Sequence, residues 1–204
     1  MHLAMAPSYA HSDLGPQDDL QVIIGDLDSL TDQTRTYFES GSAKTTVIHD
    51  PDQESTDFGK AVMHIRKQNP TAVDIVAVGG LGGRVDQGIS QLHHLYIFQR
   101  GDAYDMGRLF LVSEESISFL LKAGKHRITV REGGEEVFGK HVGILPIKER
   151  SVISTKGLEW DVHDWETEFG GRISTSNHVL PETEVVEVET TKDVIFTIAL
   201  KQLD

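Results

Sequence analysis

The chain has no cysteine, two tryptophans and six prolines in 204 residues. Without cysteine there is no disulfide and no thiolate metal site, which fits a cytoplasmic protein. No run of about 18 apolar residues occurs, so no membrane-spanning helix is expected. Met1–Gln21 lacks both a basic start and a long apolar stretch, and does not read as a secretory signal. Its mixture of Ala, Pro, Ser, His and Asp predicts a disordered arm over residues 1–21. Positive charge is scarce too: 19 Lys and Arg stand against 32 Asp and Glu, a formal net charge of −13. That balance excludes a non-specific nucleic-acid binder, which needs a basic face. If such an acidic chain binds phosphate, it must use local Lys or Arg, backbone N–H groups or a metal ion.

What is present begins as alternating strands and helices. Val22–Ile24, Thr45–Ile48, Ala72–Val78 and Arg108–Val112 read as short strands. Between them, Thr31–Ser40 predicts a helix capped by Ser29 or Thr31 and stopped by Gly41. Phe58, Ala61, Val62 and Ile65 fall at i, i+3, i+4 and i+7, one face of a second helix that Pro70 ends. Ile89, Leu92, His93 and Tyr96 predict the buried face of a third. After Ser113 the helical period fades into short β runs broken by Gly, Pro and Asp, the pattern of an all-β sandwich or barrel. The expected organisation is an α/β domain with a parallel sheet over 22–113, then a β domain over 114–204.

Three loops follow predicted strands, and ligands of open parallel sheets bind beyond the strands' carboxyl ends. In Gly25-Asp26-Leu27-Asp28-Ser29, Asp26 and Asp28 are hard oxygen donors suited to Mg²⁺, and either one could instead cap the next helix. Asp50–Asp57 is strongly acidic, and Asp57 opens the second helix. Ser55 and Thr56 stand where N–H groups of a helix N-terminus could meet phosphate. Gly79-Gly80-Leu81-Gly82-Gly83 lets backbone approach a ligand closely. It is followed by Arg84, a possible bidentate phosphate partner, and by Asp86 and Gln87, which could orient Arg84, serve a metal or simply begin a helix. In the β region, Trp160 is either core or a flat stacking face for an aromatic cation. Ser174–Asn177 supplies small polar groups after a Gly-Gly turn.

Together these stretches, with Asp52–Ala61, Lys156–Trp160 and Ser174–Asn177 in the same order and spacing, resemble thiamine pyrophosphokinases from about Val22 to the C-terminus. The resemblance implies a Rossmann-like α/β domain followed by a β-sandwich or jelly-roll-like domain. It also implies a homodimer with sites between the domains of opposite subunits, and transfer of diphosphate from ATP to the hydroxyl of thiamine. By similarity, Asp26, Asp28 and Asp57 would hold Mg²⁺ and the transferred phosphates. Gln53, Ser55, Thr56, Arg84, Asp86 and Gln87 would line the nucleotide side, with Asp57 or Asp86 accepting the hydroxyl proton. Trp160, Ser174 and Asn177 would receive thiamine. The family carries a further βα segment before the first acidic loop, and Met1–Gln21 holds nothing comparable. A shortened thiamine-binding homologue without turnover and, more remotely, a nucleotide-sugar glycosyltransferase with a D-x-D metal site are the alternatives.

Overall fold

The computed structural model describes residues 2–4, 20–41, 44–132 and 137–202, which fall into two compact units, 1–71 and 72–204. In the first unit, β1 (His2–Ala4), β2 (Leu20–Gly25) and β3 (Thr46–His49) form a parallel sheet in the order β1-β2-β3. Helix α1 (Asp32–Ser40) links β2 to β3, and α2 (Asp57–Gln68) follows β3. Both helices start where a threonine satisfies an otherwise orphaned N–H. Thr31 Oγ1 accepts from Thr34 N–H at 3.2 Å and Thr56 Oγ1 from Gly59 N–H at 3.1 Å. Val22 and Ile24 pack with Ala61 and Ile48, seating α2 on the sheet. The disordered arm expected over 1–21 needs correction. His2–Ala4 pairs in parallel with β2, and Leu20 and Gln21 belong to β2 itself. Residues 1 and 5–19 lie outside the described residues.

The second unit begins with β4 (Ile75–Val78), α3 (Val85–Ile97) and β5 (Leu109–Val112), β4 and β5 being parallel. Then come β6 (Ser116–Leu121), β7 (Gly124–Thr129), β8 (Phe138–Leu145), β9 (Ser151–Lys156), β10 (Trp165–Thr167), β11 (Ser174–His178), β12 (Val185–Thr190) and β13 (Val194–Leu200). They build a six-stranded sheet, β11-β8-β13-β6-β5-β4, and a four-stranded one, β10-β9-β12-β7. Phe119, Ile144, Phe196 and Ile198 from the first sheet and Ile153, Val186 and Val188 from the second share one core. That is a sandwich, as the alternation of short strands predicts. The parallel-to-antiparallel change falls at the Ser113–Ser116 turn, where Ser113 N–H meets the Ser116 carbonyl at 2.8 Å. The units divide earlier, at Thr71/Ala72, because β4 and β5 are hydrogen-bonded into the sandwich's larger sheet.

Helix α3 buries a different face from the one its apolar residues suggest. Gln91, His94 and Leu95 are buried, whereas Ile89 is 59% exposed. His94 donates from Nδ1 to the Ser90 carbonyl at 2.6 Å and stacks on Phe98. Burial holds its pKa below the usual 6.5. A depressed histidine contributes stability that is full above its unfolded pKa and is lost as pH falls through the folded one. Unfolding free energy should therefore decline below about pH 6.5 by at most ~1.4 kcal/mol per pH unit from this group. Denaturant titrations of His94→Phe should show a shallower decline than the wild type.

Candidate functional site

The first cluster is set by the carboxyl end of β2. A Cβ built on Gly25 would lie 2.8 Å from Asp57 Cγ and Oδ1 and 2.9 Å from Oδ2, so glycine is needed for the Asp57 carboxylate to rest against the strand. Asp57 Oδ1 accepts the Asp26 N–H at 3.1 Å, and the Asp50 N–H donates to the Gly25 carbonyl at 2.8 Å. The two acidic loops are thereby bound edge to edge. Leu27 takes φ +62°, a left-handed conformation costly for a residue with a Cβ. Two turn bonds hold it there, Asp28 N–H to Asp26 Oδ1 at 3.1 Å and Leu30 N–H to the Leu27 carbonyl at 2.9 Å. The exposed Asp28 carboxylate is carried out at the tip.

Beneath this cluster lies a residue that the sequence reading passes over. Lys60 is only 2% exposed, and its ammonium donates to the Asp50 carbonyl at 2.9 Å and to Asp57 Oδ1 at 3.5 Å. The one signal for it was its position three residues after Asp57, on the same helix face as Asp57 and next to Ala61. Around the rest of the loop, Asp52 accepts the Ser55 hydroxyl at 2.6 Å and the Glu54 N–H at 2.9 Å. The Ser55 bond is the main reason the Asp52 carboxyl lies below its ordinary value. Thr56 caps α2, and Gln53 is exposed beside it.

Among the described residues, no three His, Asp or Glu side chains converge closely enough to cage a metal by themselves. Mg²⁺ does not require that, because it usually keeps waters and takes one or two carboxylates with substrate phosphate oxygens. Asp26, Asp28 and Asp57, with the oxygens of Asp57 tethered at one side only, suit that chemistry.

The glycine loop belongs to the second unit. Gly79, Gly82 and Gly83 have φ of +76°, +145° and +64°. A Cβ on Gly79 or Gly82 would meet nothing within 4 Å, so conformation rather than crowding calls for glycine there. Arg84 and Asp86 form a two-point ion pair, Nε–Oδ1 at 3.1 Å and Nη2–Oδ2 at 2.5 Å. This hydrogen-bonded pairing lowers the Asp86 pKa and raises that of Arg84. Gln87 is exposed in the first turn of α3.

A third group lines a concavity of about 230 Å³ in the sandwich: Trp160, Trp165, Ile173, Ser174 and Asn177, with Thr155, Val162 and Thr175 completing it. Trp160 is 55% exposed, so it is not a core tryptophan. Asn177 fixes the Trp160 turn. Its Oδ1 accepts from the Trp160 and His178 N–H groups at 3.2 and 2.8 Å, and its Nδ2 donates to the Trp160 carbonyl at 2.9 Å. Ser174 pairs with Ile144 and Asn177 with Val142, leaving one extra residue on β11. Ser176 at φ +56° absorbs it, which turns the buried Asn177 inward. Behind Trp160, the His178 ring lies 5.0 Å from the indole, and its Nδ1 is 2.5 Å from Glu159 Oε2. Asn177→Leu would take away the partners of the Trp160 N–H and carbonyl in part-buried bonds, so thermal unfolding should show a loss of about 1 kcal/mol.

The chain as a whole is similar to known proteins. The family model described as the thiamin pyrophosphokinase catalytic domain matches residues 14–104, and the one described as the thiamin pyrophosphokinase vitamin B1 binding domain matches residues 125–195. Thiamine pyrophosphokinase 1 of Arabidopsis thaliana is 36% identical over 188 residues, covering 89% of this chain and 66% of the relative, so this chain spans just under two thirds of that protein's length. Thiamin pyrophosphokinase 1 of Caenorhabditis elegans is 31% identical over 185 residues, covering 88% of this chain and 70% of the relative. The crystal structure of yeast thiamin pyrophosphokinase superposes with a TM-score of 0.75 at 26% identity, covering 89% of this chain and 69% of that one. With both family models matched in sequence order and the fold of a solved member reproduced, the chain belongs to the thiamine pyrophosphokinase family.

Proposed function

We propose that this chain transfers diphosphate from ATP to the primary hydroxyl of thiamine, forming thiamine diphosphate and AMP in a Mg²⁺-dependent reaction. The observation that carries the reading is the Asp57 carboxylate, seated on Gly25 and tied at Oδ1 by the Asp26 N–H and by Lys60. A carboxylate so held presents Oδ2 in a fixed direction before any ligand arrives, and preorganisation of that kind is what in-line phosphoryl chemistry needs from a protein. Asp26, Asp28 and Asp57 would hold Mg²⁺, which when bound neutralises phosphate charge and orients the transferred group.

The remaining residues take roles that follow from their positions. The N-terminus of α2, with Gln53, Ser55 and Thr56, favours phosphate through its dipole and N–H groups. Asp86 holds Arg84 by two hydrogen bonds, and a polyphosphate would compete for the same guanidinium fork. Asp57 or Asp86 would accept the thiamine hydroxyl proton. Gln87 stands beside this exchange on α3. Trp160 and Ser174 would take the thiamine rings, and Asn177, largely committed to the Trp160 backbone, would add one remaining N–H.

The domain roles are then catalytic over 22–113 and thiamine-binding over 114–204, in a cytoplasmic homodimer. Removing divalent metal with EDTA should abolish AMP release, and Mg²⁺ should restore it. Asp28→Asn should depress turnover with little change in melting temperature. Metal-independent AMP release, or an Asp28→Asn chain that unfolds instead, would count against the reading.

A further inference from the structure

We infer, resting on the thiamine reading above, that Trp165 is a second aromatic wall of the pocket that sets ligand specificity, and that Arg172 is the residue that positions it. Trp165 lines the same concavity as Trp160. It stands at the start of β10, packed on the sandwich core alongside Val162, which stops the indole from swinging away. The Arg172 guanidinium lies over its ring, 5.0 Å from the centroid.

The hairpin between the two residues explains how the arginine reaches that place. Gly170 turns the chain at φ +87°, and the Gly171 N–H donates to the Glu168 carbonyl at 3.0 Å. The Arg172 carbonyl then accepts two bonds at 2.9 Å, from the Thr167 hydroxyl and from the Glu168 N–H. Arg172 forms no ion pair among the described residues, so the indole is the partner its charge has found. A planar, weakly hydrated guanidinium stacks on an aromatic face at low desolvation cost. The result is a tryptophan fixed on one side by core and on another by a cation, with the remaining surface in the pocket.

Two indoles, Val162 and Ile173 give apolar walls, while Ser174 and the remaining Asn177 N–H give hydrogen-bonding groups. That lining fits a flat heteroaromatic ring with polar substituents. Trp165 would hold such a ring by area and stacking, and Arg172 would act on affinity only through the indole it fixes.

Because the chain has two tryptophans, fluorescence can read Trp165 alone in the Trp160→Phe variant. Thiamine added to that variant, with excitation at the red edge of indole absorption, should quench the remaining emission. Trp165→Leu, which keeps apolar volume against the core, should raise the thiamine Kd measured by calorimetry about ten-fold. Arg172→Ala should raise it about three-fold with an unchanged melting temperature, and Arg172→Lys should recover most of the difference. The KM for ATP should not move in any of the three. If Trp160→Phe binds thiamine without quenching, or Trp165→Leu and Arg172→Ala bind it as the wild type does, the inference fails while the functional reading stands. A wild-type chain that binds no thiamine would overturn the reading itself and the inference with it.

Discussion

Asp57→Ala should cost about 3 kcal/mol of stability as well as essentially all turnover, and adding Lys60→Met should return most of the stability and none of the activity. Removing one partner of a buried pair leaves the other as an uncompensated charge, at a cost of roughly 3–5 kcal/mol. Here the exposure is asymmetric. The Lys60 side chain is 1% exposed and that of Asp57 34%, which places the penalty mainly on the lysine and at the lower end of the range. With Asp57 gone, the ammonium keeps, among the described residues, only the Asp50 carbonyl as a hydrogen-bond partner. Methionine fills nearly the same volume without a charge to satisfy. Lys60→Met alone should therefore change stability little, because the Asp57 carboxylate keeps contact with water and with the Asp26 N–H. Its turnover should still fall, since Oδ1 loses a tether. Denaturant midpoints for the three variants, measured beside their rates of thiamine-dependent AMP formation, separate the two effects.

The second large effect is expected at Gly25. Alanine there would put a methyl carbon 2.8–2.9 Å from three atoms of the Asp57 carboxyl group, closer than nonbonded atoms tolerate. The carboxyl group is the mobile party, because Gly25 is anchored in the ladder with β3 and accepts the Asp50 N–H. Asp57 would swing off by the order of an ångström and give up the Asp26 N–H. A displacement of that size costs about 100-fold in rate when positioning is the source of catalysis. Stability should fall far less, since Asp57 can turn toward solvent. A Gly25→Ala chain with wild-type turnover would show that the seat on β2 is incidental.

These two predictions rest on features that differ in how readable they were. The strand ends and helix starts were legible because each is marked by a local rule. An apolar run stops at Gly-Asp or Gly-Gly, and Thr31 and Thr56 cap the helices that follow. The sandwich was legible from the spacing of its β-branched runs. The α3 face was not, because Ile89 looks apolar in sequence while the surface beside α3 selects Gln91, His94 and Leu95. Lys60 escaped for a related reason. A lysine in an amphipathic helix ordinarily reads as solvent-facing, and only the fold shows two acidic loops closing over it. Trp165 sits in a three-residue strand between charged neighbours, too short to register as β, and its pairing with Ile153 of β9 is non-local. Asn177 stood out in sequence as a candidate, but its structural part was not legible, since the bulge at Ser176 that turns it toward the Trp160 backbone depends on the register of β8.

The central claim is tested most directly by incubating the purified chain with ATP, thiamine and Mg²⁺ and quantifying nucleotides and thiamine esters together. AMP and thiamine diphosphate should form in equal amounts, with neither formed when thiamine or metal is left out. ADP with thiamine monophosphate, or thiamine binding with no thiamine diphosphate made, would contradict it.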